Sequence, residues 1–376
     1  MPSLDGLRAA SLACVLLAHL SGTQHFFRWE MFEIYGDFGV RVFFLISGHL
    51  ITGLLLKEHE KTGSISLRDF YLRRAYRILP AAYVYMIVVI ASHWHTLSWA
   101  SMVAAVTYTS NYLRDEPWVL GHLWSLSVEE QFYLLWPLTL AVFFRKKLWV
   151  VVGLLLSGPP LRVLFWIIWG YHGLAHFFPV LMDALGAGCA LAMLHPQLQN
   201  WDRWLRNRWF LLVPALTALL PLLHFVSNRS YQVAGLTVMH IGIALSIQQA
   251  VQMRYRVLNW GQVVWMGTLS YSFYLWQQPF LNRTSRDWWA AFPQNLLLVG
   301  LFGAASYYCV EKPFLGLRER RKEEARADRT LPGKNPFEGR KRPGPLPASL
   351  EPIAEWAMRK SWLPQQLLAE SGVTPL

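Results

Sequence analysis

The sequence contains ten apolar segments that are each long enough to cross a lipid bilayer. They lie near residues 9–26, 38–56, 79–97, 131–144, 149–169, 177–194, 209–226, 231–251, 263–281 and 292–311. A helix needs about 20 apolar residues to cross the hydrocarbon core, and every backbone polar group inside that core must be bonded internally. We therefore expect an all-α protein, a polytopic transmembrane helical bundle with about ten spanning helices.

A further stretch, residues 98–113, is too short and too polar for an eleventh span. Its sequence, SWASMVAAVTYTSNYL, mixes hydroxyl and amide side chains with apolar ones. Such a segment is tolerated at membrane depth only where protein or water surrounds it. We therefore expect one short re-entrant or interfacial helix here.

The positions of the basic residues predict the orientation of the chain in the bilayer. The net charge is +12, although only 15% of the residues are charged. Of the 35 Lys and Arg residues, 26 fall in five groups, at residues 57–77, 145–147, 203–208, 254–256 and from 318 onward. With ten spans, all five groups lie on the side of both termini, and an excess of basic residues is typical of cytoplasmic loops. We expect cytoplasmic termini and no nucleic-acid partner.

The composition of the chain changes near residue 317. A mixed-charge run, RERRKEEARADR, is followed by the Pro- and Gly-rich stretch PGKNPFEGRKRPGPLP. Segments of this composition bury too little apolar surface to fold by themselves. We expect residues 1–316 to form the membrane domain and residues 317–376 to form a cytosolic, partly disordered tail.

The sequence has no pattern that indicates a metal centre or a bound cofactor. Cys14, Cys189 and Cys309 all lie within apolar segments, where cysteine behaves as a small buried apolar residue. CxxC, HExxH, Walker and GxGxxG patterns do not occur. We therefore expect neither a metal ion nor a tightly bound cofactor.

Two ionisable residues mark the first apolar segment, Arg8 immediately before it and His19 within it. Eleven residues of helix correspond to about three turns plus 20°, with a rise of about 16 Å. Both side chains therefore lie on one face. An arginine near the membrane surface can simply extend to the interface, and a single histidine can be a packing residue. Ionisable groups inside a membrane are rare and mark functional sites, so we expect both residues to be catalytic.

The second segment, GVRVFFLISGHLITGLLL, contains Arg41 and Ser47. Small residues such as Ser47 allow close helix packing, which is one explanation for its presence. Arg41 lies between valines and needs an anionic partner, which Glu129 or Glu130 can supply. We expect Arg41 and Ser47 to contact substrate.

Three arginines, Arg73, Arg74 and Arg77, begin the third segment in FYLRRAYRILPAAY. They can act as a basic anchor at the membrane surface. Guanidinium groups also hold phosphate with paired hydrogen bonds, and Arg73 and Arg77 share a face if the segment is helical. We expect a phosphate site for a donor such as coenzyme A.

The stretch GHLWSLSVEEQFYLLWPL contains His122, Trp124, Glu129 and Glu130. Ser127 and Glu130 have the spacing of a helix capping box, which would explain one of the two acids. His122 and Glu129 have no such explanation, and both groups can orient or deprotonate a hydroxyl. We expect these two residues to be catalytic and Trp124 to contact substrate.

Six motifs occur in order and resemble those of the acyltransferase-3 family of polytopic membrane O-acyltransferases. They are SLDGLRAASLACVLLAHL, GVRVFFLISGHLITG, FYLRRAYRILPAAY, GHLWSLSVEEQFYLLWP, GTLSYSFYLWQQPF and YYCVEKPF. The resemblance runs from residue 4 to about residue 316. It implies transfer of an acyl group, often acetyl, from cytoplasmic acyl-CoA to a hydroxyl of a carbohydrate or glycolipid acceptor. It also implies a location in the bacterial cytoplasmic membrane.

The resemblance also implies roles for individual residues. Arg8 and His19 match the characteristic pair of the family, and Arg73 and Arg74 match its arginine pair. Arg41 departs from the family pattern, in which an acidic residue is common at this position. A carboxylate–histidine pair built from the second segment is therefore doubtful here, and Glu129 or Glu130 is the more plausible partner.

We therefore hypothesise that Arg73, Arg74 and Arg77 hold the donor phosphates at the cytoplasmic face. His19 then acts as a general base or as a transient acyl carrier, while Glu129 or His122 orients the acceptor or the imidazole. Arg8 and Arg41 stabilise phosphate or oxyanion charge. A secondary transporter or flippase for a sugar-containing or acylated substrate is the alternative, because it also places charges inside a helical bundle.

Overall fold

The structure, a computed structural model, describes residues 1–170, 176–200 and 202–330 and is helical throughout its regular elements. The long helices are α1 (Pro2–Leu20), α2 (Glu30–Thr62), α3 (Leu67–Ser92), α6 (Leu123–Val142), α7 (Lys147–Trp169), α8 (Phe178–Gln199), α13 (Leu236–Met253), α14 (Gly261–Phe280), α15 (Gln294–Ser306) and α16 (Lys312–Thr330). The short ones are α4 (Trp99–Val106), α5 (Trp118–Gly121), α9 (Asp202–Leu205), α10 (Leu212–Leu219), α11 (Leu223–Val226) and α12 (Asn228–Ser230). The predicted all-α fold is confirmed.

Seven helical segments of the described chain are long and apolar enough to cross a membrane. They are Pro2–Leu20, Glu30–Thr62, Leu67–Ser92, Phe144–Ile168, Phe178–Leu198, Arg208–Val226 and Asn228–Met253. Helices α6 and α14 have sufficient length, but acidic, amide and hydroxyl side chains lower their mean hydropathy. Helix α15 has 13 residues before a π-helical segment, Tyr307–Glu311. The protein is therefore an integral membrane protein, and the number of ten spans stays a prediction.

The segment predicted to form a short helix contains α4, which has eight residues. Eight residues extend for only about 12 Å, so this helix cannot cross the hydrocarbon core. A 3₁₀ turn, Ser110–Tyr112, follows it and is bound to α6 through Gln131. The Gln131 side-chain nitrogen donates to the Tyr108 carbonyl at 2.9 Å and to Asn111 Oδ1 at 2.8 Å.

Helix α2, with 33 residues, packs against both α1 and α8. Glycines allow the backbones to approach closely, as is common between membrane helices. A Cβ atom on Gly48 would collide with the Leu185 carbonyl on α8, and one on Gly188 would collide with the Leu45 carbonyl on α2. The two helices are therefore in direct backbone contact, next to Ser47.

Helices α1 and α14 lie side by side and run in the same direction. Asp5 near the start of α1 contacts Gly267, and His19 near its end contacts Gln277. Helix α2 runs in the opposite direction, because Gly36 lies against Ala18 and Gly39, further along α2, lies against the earlier residue Ser11. The end of α1 and the start of α2 thus share one end of the bundle.

The chain divides into two compact units, Met1–Arg318 and a second unit that begins at Glu319. The mixed-charge run begins within α16. The remainder of the predicted disordered tail, from residue 331 onward, lies outside the described residues. The domain boundary predicted after residue 316 stays a prediction.

Replacing Gly188 with alanine should destabilise the bundle, because its Cβ would overlap the backbone of Leu45 and His49. We expect a loss of about 1–3 kcal/mol, typical of overpacking. The matched control is Gly153→Ala on α7, where a Cβ has open space and alanine favours a helix over glycine by about 0.5–1 kcal/mol. Thermal unfolding of the purified full chain in detergent measures both. A Gly188→Ala protein that melts no earlier than the wild type would contradict the packing.

Candidate active site

A cavity in the bundle, here called the three-arginine cavity, collects side chains from five helices. Its charged and hydroxyl-bearing residues are Arg8 on α1, Ser47 on α2, Arg74 and Arg77 on α3, Ser125, Glu129 and Tyr133 on α6, and Ser270, Tyr271 and Tyr274 on α14. Five of the residues predicted from the sequence therefore meet in one place: Arg8, Ser47, Arg74, Arg77 and Glu129. They come from helices far apart in the sequence, and their meeting depends on the packing of the bundle.

A hydrogen-bond chain fixes the carboxylate of this cavity. Ser47 Oγ donates to Glu129 Oε1 at 2.6 Å, and the Tyr133 hydroxyl donates to Ser47 Oγ at 3.0 Å. The Arg74 guanidinium lies 3.7 Å from the centre of the Tyr133 ring, in the geometry of a cation–π interaction. Ser47 thus positions Glu129 as well as permitting close packing.

The cavity has more positive than negative charge. Three guanidinium groups line it, from Arg8, Arg74 and Arg77, and the carboxylate that lines it belongs to Glu129. Buried Nε of Arg74 has no hydrogen-bond partner among the described residues. Guanidinium groups with spare donors bind phosphate and carboxylate groups. The cavity therefore suits an anion.

Arg73 lies outside the three-arginine cavity. Its Nη2 donates to Glu58 Oε2 at 2.8 Å, and its side chain is 47% exposed. Consecutive residues of a helix point about 100° apart, so Arg73 and Arg74 face different surroundings. The structure brings Arg74 together with Arg77 and separates both from Arg73.

His19 lies close to the end of α1, about 16 Å along the helix from Arg8. Its Nδ1 is 3.2 Å from Gln277 Oε1. An amide oxygen only accepts hydrogen bonds, so Nδ1 carries the proton and Nε2 keeps its lone pair. The ring also contacts Trp118 edge-on, with 5.3 Å between centroids. This arrangement holds His19 in the tautomer that a base requires at Nε2.

Arg283 fixes the end of α1 next to His19. This arginine follows α14 and donates to the Ala18 carbonyl oxygen and to Glu33 Oε1 on α2. The two bonds connect three helices at the end of the bundle where His19 lies. Arg283 is thus a positioning residue for the histidine.

Several buried polar atoms near His19 have no partner among the described residues. They are both ring nitrogens of His122, Nε2 of Gln277 and Oε1 of Gln278. The three residues are at most 3% exposed, and buried polar atoms normally have hydrogen-bond partners. A polar substrate group can provide those partners here.

Tyr274 connects the surroundings of His19 with the three-arginine cavity. Its ring lines the cavity, while its hydroxyl donates to the His122 carbonyl oxygen at 3.2 Å and lies 2.5 Å from Ser125 Oγ. Gln277 and Gln278 follow one turn later on α14. The polar residues thus form one path along α1 and α14, from Arg8 to His19.

Arg41 is not part of this path. Its Nε donates to Asp37 Oδ2 at 2.8 Å, and its Nη1 lies 3.4 Å from His240 Nε2. The predicted pairing with Glu129 or Glu130 is therefore wrong, because Asp37 lies one turn earlier on the same helix and Glu129 is held by Ser47.

Two further expectations for the start of α6 are changed by the structure. Helix α6 begins at Leu123, so Ser127 lies inside it and donates to the Leu123 carbonyl oxygen at 2.9 Å. The predicted capping box with Glu130 is therefore wrong. Trp124 stacks on His176 with 4.0 Å between ring centres and does not line the three-arginine cavity.

Sequence reasoning gave no role to Tyr133, Tyr274, Gln277 or Arg283. The chain has 15 tyrosines, and the sequence contains no signal that distinguishes Tyr133 and Tyr274 from the others. The amide pair in the motif YLWQQPF is a signal, since two adjacent amides inside an apolar segment need partners. Arg283 lies in a loop between helices, where nothing in the sequence indicates its contact with α1.

Comparisons with known proteins agree on one family of proteins. A family model described as an acyltransferase domain matches residues 1–310. The chain is 30% identical over 331 residues to the peptidoglycan O-acetyltransferase OatA of Listeria monocytogenes, covering 76% of this chain and 50% of that protein. It is 27% identical over 370 residues to the putative peptidoglycan O-acetyltransferase YrhL of Bacillus subtilis, covering 83% and 54%.

A putative O-acetyltransferase of Staphylococcus aureus is 29% identical over 358 residues, covering 84% of this chain and 57% of that protein. The chain therefore spans about half the length of the curated relatives it matches. No solved structure matches the chain.

Replacing Ser47 with alanine should destabilise the protein, because Glu129 and Tyr133 would each lose a hydrogen-bond partner. We expect a loss of about 1–3 kcal/mol, the cost of leaving buried polar groups unsatisfied. Ser127→Ala is the matched control, since that hydroxyl bonds only to a carbonyl of its own helix. Thermal unfolding in detergent compares the two. Equal melting temperatures for both variants would show that Ser47 does not hold Glu129.

Proposed function

The chain belongs to the acyltransferase family whose model covers residues 1–310, and on this basis we propose that it is a membrane-embedded O-acyltransferase. In this proposal it moves an acetyl group from cytoplasmic acetyl-CoA to a hydroxyl of a carbohydrate acceptor. The observation that supports it best is the polar path along α1 and α14, with an anion-binding cavity at Arg8 and a histidine with an available Nε2 at the other end.

The three-arginine cavity is the proposed donor site. Coenzyme A is a polyanion, and its phosphates match the guanidinium groups of Arg77 and of Arg74, whose Nε has no hydrogen-bond partner among the described residues. Both residues belong to the basic segment 57–77. This segment is expected to lie on the cytoplasmic side of the membrane. Arg8 faces the same cavity and supplies a third positive charge.

His19 is the proposed general base. Its Nε2 takes the proton of the acceptor hydroxyl while the hydroxyl oxygen attacks the thioester carbonyl. The carbon–sulfur bond then breaks, and coenzyme A leaves as the thiol after taking up that proton. A covalent route, in which Nε2 first receives the acyl group, uses the same atom.

The side-chain amide of Gln277, whose Nε2 has no hydrogen-bond partner among the described residues, is well suited to support this reaction. Its oxygen orients His19, and its Nε2 donor is free to bind the oxyanion that develops on the carbonyl. The ring nitrogens of His122, also unpartnered, can orient the acceptor hydroxyl. The acceptor is proposed to be a cell-envelope carbohydrate, since the relatives include enzymes named for peptidoglycan.

Replacing His19 with alanine should lower acetyl transfer by about 10²–10⁴-fold, the usual contribution of a general base. Release of coenzyme A from acetyl-CoA in the presence of a carbohydrate acceptor measures it. His95→Ala, an exposed histidine outside the polar path, is the control, and thermal unfolding checks that both variants fold. Full activity of the His19→Ala protein would refute the proposed base.

Arg74 and Arg73 form a second matched pair, because adjacent arginines face different surroundings. Arg74→Gln should raise the KM for acetyl-CoA by about 10-fold to 100-fold, as expected for one charge-assisted hydrogen bond. Arg73→Gln should leave the KM unchanged within about twofold, since Arg73 lies outside the cavity and its side chain is 47% exposed. An equal rise in the KM for acetyl-CoA in both variants would contradict the assignment of the three-arginine cavity as the donor site.

A further inference from the structure

A second cavity lies between α2, α7, α8 and the start of α13, and it is here called the Arg229 cavity. Its polar and aromatic lining residues are Arg41, Arg162, Trp166, Asn228, Arg229 and Gln232. Its volume is about 300 Å³, which reaches the range of small-molecule sites, about 300–1,000 Å³. The proposed donor and base do not use it.

A buried network of polar contacts lies behind Arg162, one of the residues that line the Arg229 cavity. Arg162 pairs with Asp183 on α8, and Asp183 also accepts from the Thr237 hydroxyl at 2.6 Å. His240 Nδ1 lies 3.2 Å from the same carboxylate. A fully buried charge is costly without partners, so this network fixes the guanidinium of Arg162 in place.

The surface that faces the cavity is cationic. Arg41 and Arg162 line it, whereas Asp37 and Asp183, their carboxylate partners, do not. Arg41 binds Asp37 through Nε and Nη2 and so retains further N–H donors. Both guanidinium groups are therefore held rigidly, with charge directed toward the cavity.

Arg229 adds a cation that has no carboxylate within ion-pair distance among the described residues. Its guanidinium lies 4.4 Å from the centre of the Trp166 ring. Next to it, the buried Oδ1 of Asn228 has no hydrogen-bond partner in the described chain. The cavity thus combines an available cation, an available acceptor and an aromatic ring.

We infer that the Arg229 cavity binds the negatively charged group of an acidic sugar. A guanidinium fork matches the two oxygens of a carboxylate or phosphate, the Trp166 ring packs against the apolar face of a sugar, and Asn228 accepts from a sugar hydroxyl. The inference rests on the proposed function, because it assigns the acceptor to the class of acidic carbohydrates.

The position of the cavity agrees with this role. Its Trp166 lies near the end of α7, and its Arg229 lies just before α13. Arg41, its residue on α2, is adjacent to Val40, which lines the three-arginine cavity. The end of α1 that holds His19 meets the start of the same helix, so α2 borders both cavities and the surroundings of His19.

The test uses the full chain in phosphatidylcholine nanodiscs and isothermal titration calorimetry. The probes are a disaccharide of glucuronate and N-acetylglucosamine, its neutral counterpart with glucose in place of glucuronate, and inorganic phosphate. The variants are Arg229→Gln, Trp166→Leu and the control Arg286→Gln, an exposed arginine outside this cavity. His19→Ala is included because it should stop acetyl transfer and leave sugar binding unchanged.

We expect the acidic disaccharide to bind more tightly than the neutral one, and Arg229→Gln to weaken the acidic one by about 10-fold to 100-fold. Trp166→Leu should weaken both sugars, and Arg286→Gln should weaken neither. Equal binding of the two disaccharides, or unchanged binding by Arg229→Gln, would overturn the inference. Phosphate that binds as tightly as the acidic disaccharide would overturn the assignment to a sugar.

A failure of the proposed function gives a different result. If His19→Ala retained full acetyl transfer, the proposed base would be refuted. Binding of the acidic disaccharide by that same variant would still test whether the Arg229 cavity binds an acidic sugar, since calorimetry needs no reaction. The two proposals are therefore tested by separate measurements on one set of proteins.

Discussion

A polar side chain inside the hydrocarbon region of a membrane is costly unless another group compensates it, and the packing of this bundle follows from that cost. Helices α6 and α14 contain buried hydroxyl and amide side chains, and both face other helices with them. Glu129 and Tyr133 both bond to Ser47, and His19 bonds to Gln277. Helices α6 and α14 therefore contribute walls of the candidate site.

Helical periodicity predicted the part of the site that lies within single helices. It placed Arg8 and His19 on one face of α1, and the structure connects both to a continuous polar path. It did not distinguish Arg73 from Arg74, because the side that faces the cavity depends on how α3 packs against α6 and α14. Short-range pairing also decides the environment of Arg41, whose partner Asp37 lies on its own helix.

Helix ends were harder to predict than helix positions. The apolar run of the first segment begins after Arg8, but α1 begins at Pro2, because a helix can continue with charged residues where other helices or water surround them. The same effect extends α6 back to Leu123 and removes the capping role of Ser127. The length of an apolar run in the sequence reflects the thickness of the hydrocarbon core, whereas backbone hydrogen bonding determines where the helix begins.

The glycine contact between α2 and α8 has a mechanical consequence. No layer of side chains separates the two backbones here, so sliding one helix along the other would cost van der Waals contact along both. Ser47, next to Gly48, holds Glu129 at the three-arginine cavity, and Asp183, five residues before Gly188, holds Arg162 at the Arg229 cavity. The spacing between the two cavities therefore depends on one backbone contact.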